Sequence, residues 1–168
     1  MTSITLVLDI TTKQTMNNSG VGMSKWSHLA NAKHIDRIIA HVDAHPTAWE
    51  ESAYNAAWDA ANDDDWAAIK AAYNAACDAV KDKSCDSARN AVWNAVWDAV
   101  WNSPMDADMD AAMDAMDGAA LALVAWDHAG GLMDLPAEQV LVLALLGDQA
   151  AILMYAAIAA METTQELA

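Results

Sequence analysis

Between residues 54 and 113 the chain returns every four residues to one order: a large side chain, then Asn or Asp, then Ala, then Ala or Val. Tyr54 and Trp58 open the pattern, and Tyr73 and Cys77 repeat it. Trp93, Trp97 and Trp101 give the longest run, AVWNAVWDAVWN, which Met105, Met109 and Met113 continue in register. Wound into an α-helix at about 100° per residue, the four slots fall at about 0°, 100°, 200° and 300°. Only one slot is polar, so such a helix is expected to be packed on several sides, with a narrow ridge left for water. On that reading the Trp row turns inward instead of offering a stacking platform. The row Met105, Met109, Met113 and Met116 fills core beside it. Repeat starts at 54, 73 and 93 fit successive antiparallel helices in an array or bundle.

The expected fold is therefore all-α: about seven helices in one domain over 24–168, with repeats over 52–117 and apolar helices over 118–168. Ser24 suits the N-cap of a first helix over 24–44, with Ile35, Ile38, Ile39 and Val42 on one face. Pro46 suits the first turn of the next. Further helices are expected over 66–81, 85–102 and from Ser103-Pro104 to about 129, where Gly130-Gly131 reads as a stop signal. A short helix from Leu135-Pro136 to Gly147 and a last one over about 149–162 complete the set. Ahead of them, Ile4, Leu6, Leu8 and Ile10 alternate with Thr, Val and Asp, so residues 1–23 read as a strand-like arm.

Charge narrows the function. The net charge is −16, and all eight Lys and Arg lie at or before Arg89. Residues 90–168 hold twelve acids and no base, whereas the first 89 residues set eight bases against twelve acids. So one-sided a field repels phosphate backbones and anionic lipid and attracts basic protein surfaces. The apolar run 140–161 is cut by Gly147-Asp148-Gln149 into pieces well short of the roughly 20 residues a membrane span needs. The N-terminus has no basic region of the kind a signal peptide carries. Cys77 and Cys85 read as free, partly buried thiols in a reducing cytoplasm.

The sharpest cluster is DADMDAAMDAMD, residues 106–117. Asp106, Asp110 and Asp114 form a row at i, i+4 spacing, with Asp117 one turn on and Asp108 alongside. Like charges so spaced repel by a few tenths of a kcal/mol per pair, with no cation nearby to relieve them. Such a row either keeps a face solvated or docks a basic partner, its carboxylates roughly 6 Å apart standing in for a phosphate backbone. Asp98 extends that face. The same residues fit a calcium loop poorly: the turn glycine is replaced by Ala111, and the bidentate glutamate by Asp117. His34, His41 and His45 read as a stripe at the edge of the Ile face, without the third ligand or HExxH motif of a metal site. Asp127-His128 has no nucleophile near it in sequence. No nucleophile elbow, phosphate loop or CxxC appears, so neither an enzyme nor a cofactor is expected.

YNAAWDAA, WNAVWDAVWN and then LALVAWDHAGGLMDLPAEQVLVLALLGDQAAILM, over about 52–160, resemble a loose group of Ala-rich helical repeat proteins of bacteriophages and prophages. That resemblance implies a phage context, in the host cytoplasm or the virion, and carries no activity with it. Those relatives usually place Arg or Lys between their acidic units, and here the bases stop at Arg89. The expected function is a non-enzymatic interaction protein whose face of Asp98, Asp106, Asp108, Asp110, Asp114 and Asp117 binds a basic protein surface, as a nucleic-acid mimic or inhibitor would. The alternatives are a structural protein self-assembling through residues 1–22, and a small-molecule binder with a Trp-lined pocket.

Overall fold

The structure, a computed structural model, describes residues 24–49, 65–83, 85–101 and 109–166. Seven α-helices and one 3-10 turn make up its regular elements, with no strand among the described residues. They are α1 (Ala32–Ala44), the 3-10 turn (Pro46–Trp49), α2 (Asp65–Asp82) and α3 (Asp86–Trp101). α4 (Met109–Ala125), α5 (Ala129–Leu132), α6 (Ala137–Leu145) and α7 (Gln149–Glu166) follow. This is the all-α bundle that the repeats lead one to expect. The arm at 1–23 and the repeat at 54–61 lie outside the described residues.

The hub is α4, which packs against α1, α2, α3 and α7. Residues 118–125, GAALALVA, contain no polar side chain and are buried without exception. Ile35, Ile38 and Val42 of α1 cover this rod, with Ala72, Ala76 and Val80 of α2. Val92 and Val96 of α3 and Met154, Ala157 and Ile158 of α7 complete the core. Full burial of a Val or Ile side chain stabilises the fold by about 1.5–3 kcal/mol. Small residues let the helices approach: a Cβ placed on Gly118 would lie 3.6 Å from Leu153 of α7.

Two helix ends depart from expectation, and one residue links them. α1 begins at Ala32, eight residues after Ser24, because residues 24–31 tighten into i→i+3 turns. In these the Ser27 amide donates to the Ser24 carbonyl and that of Leu29 to the Trp26 carbonyl, both at 2.9 Å. Asn31, at the head of α1, makes no cap on its own helix. Its amide instead donates to the carbonyls of Leu123 (2.9 Å), a group that the end of α4 leaves without a helical partner, and Trp126 (2.8 Å), which also accepts from the Ala129 amide at 3.1 Å. Helix α4 thus stops at Ala125, before the expected Gly130-Gly131, and those glycines fall inside the single turn α5. Gly130 serves close approach there: a Cβ on it would collide with the Asn31 Oδ1 and the His34 ring.

The α6–α7 junction follows its sequence signals closely. Gly147, at φ +89°, ends α6 in a Schellman motif, with the Gly147 amide donating to the Ala144 carbonyl and that of Asp148 to the Leu143 carbonyl. Asp148 then accepts from the Ala151 amide at 2.9 Å and caps α7. Glu162 of α7 reaches back to accept from the Ala137 amide at 2.7 Å, closing the start of α6. No helix among the described residues is long and apolar enough to cross a membrane.

Candidate interaction surface

The repeat distributes its four slots differently from the inward-facing arrangement expected. In α2, Ala72, Ala76 and Val80 are fully buried, and in α3 so are Ala88, Val92 and Val96. These are all fourth-slot residues. The Ala slot is half-buried at Ala75, Ala79, Ala91, Ala95 and Ala99. The bulky slot lies at the surface, where Tyr73 is 37%, Trp93 39% and Trp97 43% exposed. The reason is steric. Both helices pack on the Ala-rich rod of α4 at a separation that Ala and Val permit and an indole would force apart. Trp93 and Trp97 instead stack on each other, ring centroids 6.3 Å apart and 24° from parallel, shielding part of each face from water. Trp101 belongs to the same slot, with its side chain outside the description. Met116 does fill core, fully buried. Met105, and the side chains of Met109 and Met113, lie outside the described set.

On the other flank of α3, about 100–160° round the helix from the Trp pair, the Ala slot leaves a groove against α1. This open cleft has a volume of about 390 Å³. Ile39 of α1 and Ala95 and Ala99 of α3, all half-buried, form its apolar floor. Three exposed carboxylates stand round it: Asp36 and Asp43 from α1 and Asp98 from α3. Trp26 lines the Asp36 end, its indole N–H donating to Asp36 Oδ1 at 2.8 Å. Among the described residues no Lys, Arg or His lines this cleft. Three bases of the described fold pair with acids away from the cleft. Arg37 pairs with Asp134 at 3.3 Å, Lys81 with Asp78 at 3.7 Å and Lys83 with Asp127 at 3.4 Å.

Of the acidic face read from the sequence, Asp98 falls on this cleft. Asp106 and Asp108 lie outside the described residues. Asp110 and Asp114 belong to the first half of α4, which is helical from Met109 onward, with their side chains outside the description. Asp117 is half-buried and accepts a hydrogen bond from Tyr73 Oη of α2 at 3.0 Å. Burial, then the neighbouring Asp117 charge, push the Tyr73 phenol well above its ordinary value. The two ends of the face thus engage different helices, Asp98 towards α1 and Asp117 towards α2. Sequence reasoning passed over Trp26, Asp36 and Asp43, although Asp36, Ala40 and Asp43 show the i, i+4, i+7 spacing of one helical stripe.

The histidines form a graded stripe: His34 is buried, His41 half-buried and His45 exposed. His41 is wired at both nitrogens. The buried Trp49 donates its indole N–H to Nδ1 at 3.0 Å, and Nε2 lies 2.8 Å from Thr164 Oγ1 of α7. Thr164 in turn donates to the Met161 carbonyl at 2.8 Å, so Nε2 carries the proton of a neutral ring. Burial, then the neighbouring His45, hold His41 below the usual imidazole value. Burial also lowers His34, helped by Lys33 and Arg37 and opposed by Asp134, while Arg37 Nη1 lies 3.3 Å from its Nδ1. Asp127 and His128 do not act on each other. Asp127 meets Lys83, and His128 Nε2 lies 3.7 Å from Asp148 Oδ2. Cys77 and Cys85 are free and half-buried. Among the described residues no three His, Cys, Asp or Glu side chains are gathered to hold a metal ion.

A second surface feature was not apparent in the sequence pattern. On α6 and the turn after it, Val142 is 55%, Leu145 64% and Leu146 79% exposed, an apolar patch at i, i+3, i+4 spacing. No protein-family model, curated protein or solved structure matches this chain.

Proposed function

We propose that the protein is a non-enzymatic, acidic interaction protein of a phage that binds a basic surface on a host or phage protein, in the manner of a nucleic-acid mimic or inhibitor. One observation carries this reading: Asp36, Asp43 and Asp98, from two helices, line one partly apolar cleft that no Lys, Arg or His among the described residues lines. The long-range field of a −16 chain steers a basic partner towards it. Binding of this kind weakens steeply with salt, since exposed charges are screened within about 8 Å at physiological ionic strength. Protein captured from a bacterial lysate on the immobilised chain is therefore expected to elute early in a salt gradient. Duplex DNA is expected to compete for it if the surface imitates nucleic acid. Retention indifferent to both salt and DNA would contradict the reading. Two Asp-to-Asn sets locate the contact: positions 36, 43 and 98 for the cleft, and 106, 110, 114 and 117 for the row on and before α4.

A second reading, self-assembly as a structural component, is favoured by the exposed Val142, Leu145 and Leu146. It predicts a mass by light scattering above that of one chain, which Leu145→Glu with Leu146→Glu reduces to the monomer. A monomer at all concentrations before substitution would remove it.

A further inference from the structure

We infer that His41 is a pH-operated latch: as a neutral imidazole it holds the Pro46–Trp49 turn on the bundle, and its protonation releases Trp49 while the helices stay packed. The balance of donors and acceptors at the ring carries this. The Trp49 indole N–H can only donate, so Nδ1, 3.0 Å away, must present its lone pair. An imidazolium has two donors and no acceptor. Protonation therefore sets N–H against N–H and leaves the buried indole without this partner. The other nitrogen responds in the opposite sense. Thr164 Oγ1 donates its proton to the Met161 carbonyl and accepts from Nε2 in either state, so that bond at 2.8 Å is kept and gains from the positive charge. Protonation thus frees the turn and keeps α1 tied to the last turn of α7.

The place of the latch makes the release local. Trp49 is only 2% exposed, yet it belongs to a four-residue turn that packs mainly on α1 and α7. So short a segment has few backbone hydrogen bonds of its own and opens more readily than the helices beneath it. Among the described groups His45 alone bears on the charge of the ring, its centroid 4.9 Å away, and with burial it keeps His41 neutral to lower pH than a free imidazole. The turn brings no titratable group. Of the acids on the last turns of α7, Glu162 accepts from the Ala137 amide, and the side chain of Glu166 lies outside the described set. On α1, Arg37 is paired with Asp134, and Asp43 stands at the cleft.

The test titrates the whole chain from about pH 8 to 5 and follows three signals. These are the His41 ring protons, the far-UV ellipticity, and the indole N–H resonance of Trp49, assigned by its loss in Trp49→Phe. The Trp49 resonance is expected to leave its hydrogen-bonded position for the solvent-exposed one below pH 6.5, with the midpoint of the His41 titration, while the ellipticity is retained. In His41→Gln, whose side chain does not titrate, the Trp49 resonance does not move with pH. His45→Gln, at an exposed position, removes the neighbouring imidazole and shifts the release to higher pH. That variant decides the matter alone if His41→Gln does not fold: a release that shifts with the neighbouring charge supports the latch, and one that ignores it overturns it. A Trp49 resonance that stays in place while His41 titrates, that still moves in His41→Gln, or that is lost only together with the ellipticity overturns the latch as well.

Discussion

Asn31 heads one helix and ties down the end of another. Its two N–H donors hold the Leu123 and Trp126 carbonyls, and Gly130 keeps clear the space that this reach occupies. Asn31→Ala leaves the Leu123 carbonyl without this donor and that of Trp126 with the Ala129 amide alone, and is expected to lower unfolding free energy by about 1–3 kcal/mol in urea titration. Gly130→Ala should lower it by a similar 1–3 kcal/mol through overpacking. His41 and His34 give the stability a sign with pH. Both have folded values below 6.5, so the unfolded chain takes up protons first as pH falls below 6.5. Stability is full above that value and declines as pH drops towards the lower folded values. Protonating His41 would also set a proton against the Trp49 N–H. The urea midpoint should therefore fall between about pH 7 and 5, and His41→Gln, less stable throughout, should show a shallower fall. An unchanged midpoint over that range would show that folding does not lower the proton affinity of either ring.

The repeat sets its four slots to different tasks at the level of the helix. Val and Ala in the fourth slot face α4, the third-slot Ala lets α1 come near, Asp98 stands at the cleft, and Trp93 and Trp97 cover the far flank. Period and polarity were legible in the sequence and predicted helices in the right places. Which apolar slot would be innermost was not, because hydrophobicity alone ranks Trp above Val, whereas the rod of GAALALVA sets a helix separation that only small side chains satisfy. A single comparison tests the assignment. Val96→Ala opens a cavity in a fully buried site and should cost about 1–3 kcal/mol, whereas Trp97→Phe, which keeps an aromatic ring at a position 43% exposed, should cost less, about 0.5 kcal/mol. The reverse order would return the Trp row to the core.

Taken whole, the molecule sets an uncharged, Ala-rich interior against a strongly acidic exterior. Binary pattern, the stop at Gly147 and the helix led by Pro136 were readable residue by residue, so the bundle and the α6–α7 junction could be anticipated. The candidate site was only partly readable. Asp98 was marked by its place in the repeat, but Trp26, Asp36 and Asp43 reach it through the packing of α1 on α3, a contact between segments some 60 residues apart that no local pattern encodes. The asymmetry of charge remains the strongest functional signal, and the cleft is where the described structure gives it a shape. The direct test of that claim is the affinity of a captured basic partner for the wild type and for Asp36→Asn with Asp43→Asn and Asp98→Asn, from about 50 to 500 mM salt. The wild type should bind at low salt and weaken steeply, and the triple variant, with an unaltered helical melt, should bind at least about tenfold less tightly at low salt. A triple variant that binds as well as the wild type, or a wild-type affinity that salt leaves unchanged, would contradict it.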